Sequence, residues 1–348
     1  MATHAEFNNT TAATEVAATF GSQIKGRTVV ITGISPEGIG AATALAVASQ
    51  EPANLILASR TESKLATVVS DISEKYPAVP IKSIILDLAS SDSIKSAAAE
   101  INSVADHIDV LINNAGLTLK SRQPVKTPGG TTVDLQFSIN HLGTFLFTSL
   151  LLPKVIAAGA NAPKGSTRVV NVGSHAHRLS PIRFSDYALY RAPYDVPEAE
   201  RPPTGVSDAM IRSIDGYPGF IGYGQSKTAN ILHAMELKRR LEKAGANAIA
   251  VAVHPGTIDT GLSRDLDEGG RKAIEGTAVN GVFKTLDQGA ATTIVGAFDP
   301  KLAEVEVEGP LYLADCQYRT VLGAHAADPV AAERLWAETE KMLEITCL

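Results

Sequence analysis

Residues 27–40 read RTVVITGISPEGIG. Residues 27–32 form a β-branched run of strand length, residues 33–40 are glycine-rich, and residues 38–50 continue as a small-residue, helix-like stretch. A strand, a glycine turn and a helix start in that order make an anion site. The backbone approaches a pyrophosphate where side chains are missing, and the helix N-terminus adds free N–H groups and the positive end of its dipole. Glycine turns are common, so the loop gains weight only from its place on the first strand of a series.

That series is present. Residues 54–59 (NLILAS), 81–87 (IKSIILD), 109–113 (DVLIN), 167–172 (TRVVNV), 248–253 (AIAVAV) and 310–313 read as further strands. Between them lie helical stretches at 62–75, 93–105, 133–158, 222–243 and 281–297, and a last one at 329–343. The alternation predicts βαβ units and an α/β, doubly wound parallel sheet. The strands are almost wholly apolar, as expected where helices cover both sheet faces. Residues 1–25, polar and Ala/Thr-rich, read as a loose N-terminal arm with a short helix, and residues 26–348 as one Rossmann-type domain. Residues 178–220 break the rhythm with six prolines. They read as a substrate-side insertion, expected to form a lid; a surface excursion is the blander alternative.

Composition excludes several function classes. The chain has 348 residues, a net charge of -6, 45% hydrophobic and 20% charged residues. An acidic surface gains nothing from phosphate backbones or anionic lipid, so neither nucleic acid nor a membrane surface is an expected partner. The apolar run at 144–152 falls short of the ~20 residues of a membrane span. Two cysteines, Cys316 and Cys347, provide no disulfide framework. With no signal-peptide pattern at the N-terminus, the expected location is cytoplasmic.

The end of the second strand bears on cofactor choice. An acid there suits the ribose 2′-hydroxyl of NAD, whereas an arginine suits a 2′-phosphate. The sequence has Ser59-Arg60-Thr61, which favours NADP(H), since a guanidinium grips phosphate through paired hydrogen bonds. Glu37, inside the glycine loop, counts against it. Further along, Tyr223-Gly-Gln-Ser-Lys227 places a phenol and an ammonium on one helix face. A lysine in that position is expected to lower the phenol's pKa, making an acid–base group.

Taken together, residues 32–40, Asn113-Asn114-Ala115-Gly116, Asn140-His141-Leu142-Gly143, residues 168–174, residues 223–230 and His254-Pro255-Gly256 with Thr260 carry a joint resemblance. The chain resembles a short-chain dehydrogenase/reductase of the classical type, nearest the retinol-dehydrogenase-like branch. The resemblance implies a catalytic set of Asn140, Ser174, Tyr223 and Lys227. Tyr223 would be the general acid or base, Lys227 its partner and a ribose ligand, Ser174 the hydrogen-bond donor to the substrate oxygen, and Asn140 the holder of a relay water. It also implies cofactor contacts from Gly33, Ser35, Gly38, Ile39, Gly40, Arg60, Asp87, Leu88, Asn114, Ala115, Gly116, Tyr223, Lys227, Pro255, Gly256 and Thr260. Relatives often pair through the two long helices, so a homodimer or tetramer is expected.

Other residues read more plainly. Tyr217 lacks a lysine four residues on and reads as loop. His175 and His177 lack a cysteine or acidic partner, so no metal site is expected, and His141 and His254 read as satisfying backbone groups. Three features depart from the family pattern: four residues rather than three separate Gly33 from Gly38, Gly173 stands where relatives often have Ser, and Ser174 and Tyr223 are 49 residues apart. The resulting expectation is an NADP(H)-dependent oxidoreductase acting on a ketone, aldehyde or secondary alcohol. Its small-molecule substrate is expected to be fairly large and apolar, from the aromatic, Pro-rich insertion. The alternative from another class is a non-catalytic NADP(H)-binding sensor or scaffold, which would have no need of a proton donor.

Overall fold

The computed structural model describes residues 4–160, 162–259 and 268–348. Along the chain, α1 (Ala13–Thr19) and α2 (Gly21–Ile24) precede β1 (Thr28–Thr32), α3 (Ile39–Ala48), β2 (Asn54–Ser59), α4 (Glu62–Lys75), β3 (Ile81–Ile85), α5 (Ser91–Val104) and β4 (Val110–Asn113). A small hairpin comes next, β5 (Pro124–Lys126) and β6 (Thr132–Asp134), then α6 (Leu135–Phe137), a π-helical turn (Ser138–Gly143) and α7 (Thr144–Gly159). The second half has β7 (Thr167–Val172), α8 (Asp208–Ile211), α9 (Gly219–Lys243), β8 (Ala248–His254), α10 (Glu268–Glu275) and α11 (Leu286–Phe298). It ends with β9 (Tyr312–Ala314), β10 (Gln317–Tyr318) and α12 (Pro329–Leu343).

Eight strands form one sheet in the order β3-β2-β1-β4-β7-β8-β9-β10, parallel apart from the short antiparallel β10. Strand alternation divides the apolar residues between the two faces. Val29, Ile31, Leu55, Leu57, Val251 and Val253 pack on the side covered by α3 and α11. Val30, Ile56, Leu111, Val169 and Ala252 pack on the side covered by α5, α7 and α9. Because the chain runs outward from β1 to β3 and then returns to β4, also beside β1, the ends of β1 and β4 flank the crevice where such sheets bind ligands.

Two expectations are revised. Residues 4–25 are no loose arm: Phe7, Val16, Phe20 and Ile24 are buried in the main core. Thr14 bonds Asp287 at the start of α11 through both its amide and its hydroxyl, 3.1 and 2.8 Å. The Ala/Thr-rich composition hides the fact that Val16, Phe20 and Ile24 recur every four residues, on one helix face. The stretch 133–158 is not one uniform helix. Val133 lies in β6, Asp134 caps the helix start by accepting from Gln136 N at 3.0 Å, and the π-helical turn separates α6 from α7.

The continuous helical segment Leu135–Gly159 is 25 residues long and contains an 18-residue window with a mean hydropathy of 1.6, long and apolar enough to cross a membrane. Its apolar side chains are spent inside the protein: Phe145, Phe147, Leu151 and Val155 are buried against the sheet and α5. A helix hydrophobic on most sides belongs in such a core. On the neighbouring helix, α12 covers much of α9, with the Arg240 guanidinium 4.5 Å from the centre of the Trp336 ring.

The packing of the N-terminal segment predicts that Phe20→Ala lowers the unfolding free energy by about 3–5 kcal/mol, measured by urea denaturation. A loss below about 0.5 kcal/mol, typical of a surface change, would show that this segment lies outside the cooperative core.

Candidate active site

The site starts at the end of β1. Gly33 has φ +76°, and a Cβ there would fall 2.6 Å from Ala115 Cα in the loop after β4. A Cβ on Gly40, in the first turn of α3, would fall 2.6 Å from Gly33 O. Strand end, neighbouring loop and helix meet so closely that only glycine fits. Asn114 locks the arrangement, its amide donating to Thr32 O at 2.9 Å and Gly33 O at 3.2 Å. Thr32 Oγ1 in return accepts from the amides of Asn114 and Ala115, both at 3.1 Å. The extra loop residue is absorbed by a tight turn: Gly38 N donates to Ser35 O at 3.1 Å, with Pro36 and Glu37 between them. Glu37 takes φ 57°, the left-handed conformation that the third position of such a turn requires.

A groove of about 520 Å³ runs over these glycines. Gly33, Ser35, Gly38 and Ile39 line it from the turn, Arg60 from the end of β2, Asp87 and Leu88 from the end of β3, and Asn114, Ala115 and Gly116 from β4. Gly40 lies behind the wall. Sequence reading missed Lys64, which lines the groove from the first turn of α4, four residues after Arg60; the nearness of the two cations in sequence was the available signal. Glu37 shares the lining. The bare glycine backbone at the start of α3 fits the pyrophosphate of a dinucleotide.

A second cavity, about 250 Å³, opens from the same crevice, with Ile39, Asn114 and Gly116 lining both. Ser174, Tyr223, Lys227, Pro255 and Gly256 line it. Ser174 lies just past β7. Its hydroxyl accepts from Ala176 N at 3.1 Å, capping a short turn, and it faces the Tyr223 phenol, whose pKa it lowers. Tyr223 and Lys227 come from successive turns of α9. The Lys227 ammonium donates to Val172 O at 2.9 Å and lies 5.6 Å from the centre of the Tyr223 ring. Burial brings the lysine down to about 8, since no carboxylate accompanies it. Burial pushes Tyr223 up to about 12, and the Ser174 hydroxyl only partly opposes this. The expected lowering of the phenol is therefore not seen in the protein alone: burial raises it, and what opposes burial is Ser174 rather than Lys227.

Asn140 lines neither space. It sits in the π-helical turn, where its Oδ1 accepts from Leu117 N and its amide donates to Leu117 O and Ser226 Oγ, each at 2.9 Å. A Cβ on Gly116 would lie 3.4 Å from both Asn140 Oδ1 and Lys227 Nζ, so these three residues converge. Asn230, which sequence reading did not single out, donates to the backbone carbonyl of Asn140 at 2.7 Å. A π-turn displaces the regular helical bonds and leaves such a carbonyl available.

Beyond β8, Gly256 has φ +98°, and a Cβ there would meet Lys284 Cδ at 2.6 Å. Lys284 is held by Asp315 at 2.8 Å. Thr260 lies outside the described residues. The outer wall is formed from two sides. Leu179, Met210 and Phe220 come from the ends of the 178–220 segment, and Ile258, Ile274 and Thr277 from residues after β8. Residues 183–187 of the segment are fixed in the fold and do not line the cavity. Arg183 is fully buried, paired with Asp186 at 2.7 Å, and Tyr187 hydrogen-bonds Glu338 of α12 at 2.7 Å. Tyr217 is likewise buried, bonded to Asp134 and Gln136.

The histidines divide. His177 is buried, its Nδ1 donating to Ser174 O at 2.7 Å and its Nε2 accepting from Gly323 N, which braces the serine turn. His175 and His254 line the cavity as a stacked pair, ring centres 3.9 Å apart. Among the described residues no group of three or more His, Cys, Asp or Glu side chains is placed to hold a metal.

Comparison with known proteins agrees with this geometry. The family model for short chain dehydrogenases matches residues 27–189. An oxidoreductase of Fusarium equiseti is 35% identical over 245 residues, 70% of this chain and 93% of that protein. Human retinol dehydrogenase 13 is 32% identical over 327 residues, 92% of this chain and 85% of that protein. The crystal structure of an uncharacterized protein from Mycobacterium paratuberculosis superposes with a TM-score of 0.62 at 28% identity, covering 93% of this chain and 96% of that one. The Pseudomonas aeruginosa RhlG/NADP complex shares the fold, with a TM-score of 0.56 at 20% identity over 81% and 92% of the two chains. With its doubly wound sheet, its glycine crevice and the Ser174, Tyr223 and Lys227 side chains around one cavity, the chain belongs to the short-chain dehydrogenase/reductase family of oxidoreductases, in the retinol-dehydrogenase-like branch.

Proposed function

We propose that the protein is an NADP(H)-dependent oxidoreductase that interconverts a fairly large, apolar ketone or aldehyde with its alcohol. The observation that carries this is the shared lining of groove and cavity at Ile39, Asn114 and Gly116, which sets a dinucleotide beside Ser174, Tyr223 and Lys227. Arg60 and Lys64 in one groove support the phosphorylated cofactor. The apolar side chains Leu179, Met210, Phe220, Ile258 and Ile274 support the substrate class, as does the name retinol dehydrogenase carried by two relatives. Free thiols at Cys316 and Cys347 support a reducing compartment, the cytoplasm in this proposal.

The cofactor, when bound, supplies or accepts the hydride. The chain's own residues handle the oxygen and the proton. Ser174 and Tyr223 hydrogen-bond the substrate oxygen where negative charge develops. Tyr223, protonated at neutral pH, donates to that oxygen in reduction. Lys227 returns a proton toward the phenol and would hold the ribose hydroxyls of a bound cofactor. Asn140, tying the Gly116 loop to Ser226, keeps Lys227 at its distance and supports the water that resupplies it. Thr260, as the resemblance implies, belongs with Pro255 and Gly256 beside the nicotinamide.

Tyr223→Phe should reduce kcat for an aldehyde or ketone by about 10²–10⁴-fold while the NADPH Kd, read by fluorescence titration, changes little. A wild-type protein that binds NADPH yet turns over no member of a carbonyl panel would instead be the sensor. Replacing Arg60 and Lys64 together by Gln should weaken NADPH binding at least about tenfold, by loss of charge-assisted bonds, and leave NADH within about twofold; equal losses for both cofactors would remove the phosphate assignment.

The buried ammonium also has a cost in stability. Lys227 is lowered from 10.5 to about 8 in the folded protein, a penalty of about 3 kcal/mol. The penalty is present in full below pH 8 and fades as pH rises toward 10.5, where the unfolded chain also loses the proton. Lys227→Met should therefore raise Tm at pH 7 while abolishing turnover, and the gain should shrink toward pH 10. A lower Tm for the variant at pH 7 would contradict this.

A further inference from the structure

Reduction of one carbonyl needs one bound oxygen, and Ser174 with Tyr223 suffices for it. The cavity holds another fixed donor. His254 ends β8, beside β7, whose end leads into Ser174; Gly173 N donates to Val253 O at 2.7 Å. Neighbouring strands lie about 4.8 Å apart, and His254 lines the same cavity as Ser174 and Tyr223. Its Nδ1 accepts from His175 N at 3.2 Å. A ring nitrogen that accepts a backbone N–H has no proton, so the neutral imidazole carries it on Nε2.

The ring is kept neutral by burial and by the neighbouring cations: Lys284 and Arg178 both oppose a further positive charge, as does His175. The stacked His175 ring, tilted by only 22°, fixes its plane. Among the described residues Nε2 has no protein partner, yet it is not one of the unpartnered polar atoms sealed in the core, and the residue lines the cavity. A donor oriented by its neighbours and open to the substrate space has a use only if something there accepts from it.

We propose that the His254 Nε2–H, oriented by His175, binds a second acceptor oxygen of the substrate, so that the preferred substrates are apolar 1,3-dioxygenated compounds such as β-ketoesters, β-diketones and their hydroxy-ketone counterparts. The proposal rests on the hydride-transfer reading above. It makes His254 a specificity-determining residue, and His175 a positioning residue that acts through it.

The test compares ethyl 3-oxohexanoate with 4-nonanone, similar in length but lacking the second carbonyl, using NADPH and reading the ratio of their kcat/KM values. Intrinsic reactivity cancels when the ratio is compared between variants. His254→Leu should lower the ratio about tenfold, the worth of one hydrogen bond to a buried partner, and His254→Gln, which keeps an N–H donor, should restore part of it. An unchanged ratio in His254→Leu overturns the proposal while leaving the oxidoreductase intact. Wild-type protein that reduces neither ketone removes the hydride-transfer reading and this inference with it. A measurement independent of variant folding is the ¹⁵N shift of His254 Nε2 on titrating the wild type with diethyl malonate, which is not reduced. A shift with the diester and none with 4-nonanone supports the assignment, and no shift with either overturns it.

Discussion

The site depends on how closely the ends of two neighbouring strands approach. Thr32 and Gly33 close β1, Asn114 and Ala115 come directly after β4, and four hydrogen bonds between them leave no room for a side chain on either glycine of the turn. A parallel sheet whose strand order reverses at β1 leaves a crevice there. The clamp decides what that crevice exposes: bare backbone on one side and Asn114 between the groove and the cavity. Asn114 is thus both a structural tie and part of the lining, and these two roles are one consequence of its position.

The catalytic side chains inherit their positions from this clamp. Gly116, two residues past Asn114, abuts both Asn140 and Lys227. The lysine in turn is tethered to the end of β7 through Val172 O. Burial raises the phenol and lowers the ammonium without a counter-charge. Such opposed shifts in adjacent groups are costly to a fold and are concentrated where proton transfer takes place.

Much of this was legible because β-branched runs and glycine turns have local causes. The strand segments, the glycine turn and the Tyr223–Lys227 spacing arise from patterns a few residues long, whereas the order of the strands in the sheet does not. The illegible remainder depends on contacts across the chain. Phe20 and Val16 look like ordinary members of a polar segment until α3 and α11 are placed against them. Prolines 181–203 announce irregular backbone but not that Arg183 and Tyr187 anchor it away from the cavity. The apolar wall at Ile258, Ile274 and Thr277 carries no motif. His254 was understood for one of its nitrogens, and the orientation of the other comes only from the stacked partner beside it.

The π-helical turn at Ser138–Gly143 also bears on how such a chain can change in length over evolution. Each residue of an α-helix advances about 100° around the axis. Removing one residue from the regular turns of α7, sixteen residues long, would rotate everything beyond it as a unit, whereas the π-helical turn, whose i→i+5 bonds enclose one residue more than α-helical bonds, could lose one and close to an α-turn. The glycine loop sits between a strand end and a helix start, and its surplus residue is taken up by a local reversal without disturbing either. A change of length by one residue is therefore open to the phosphate-side loop and, along the helix that carries Asn140, to the π-helical turn alone.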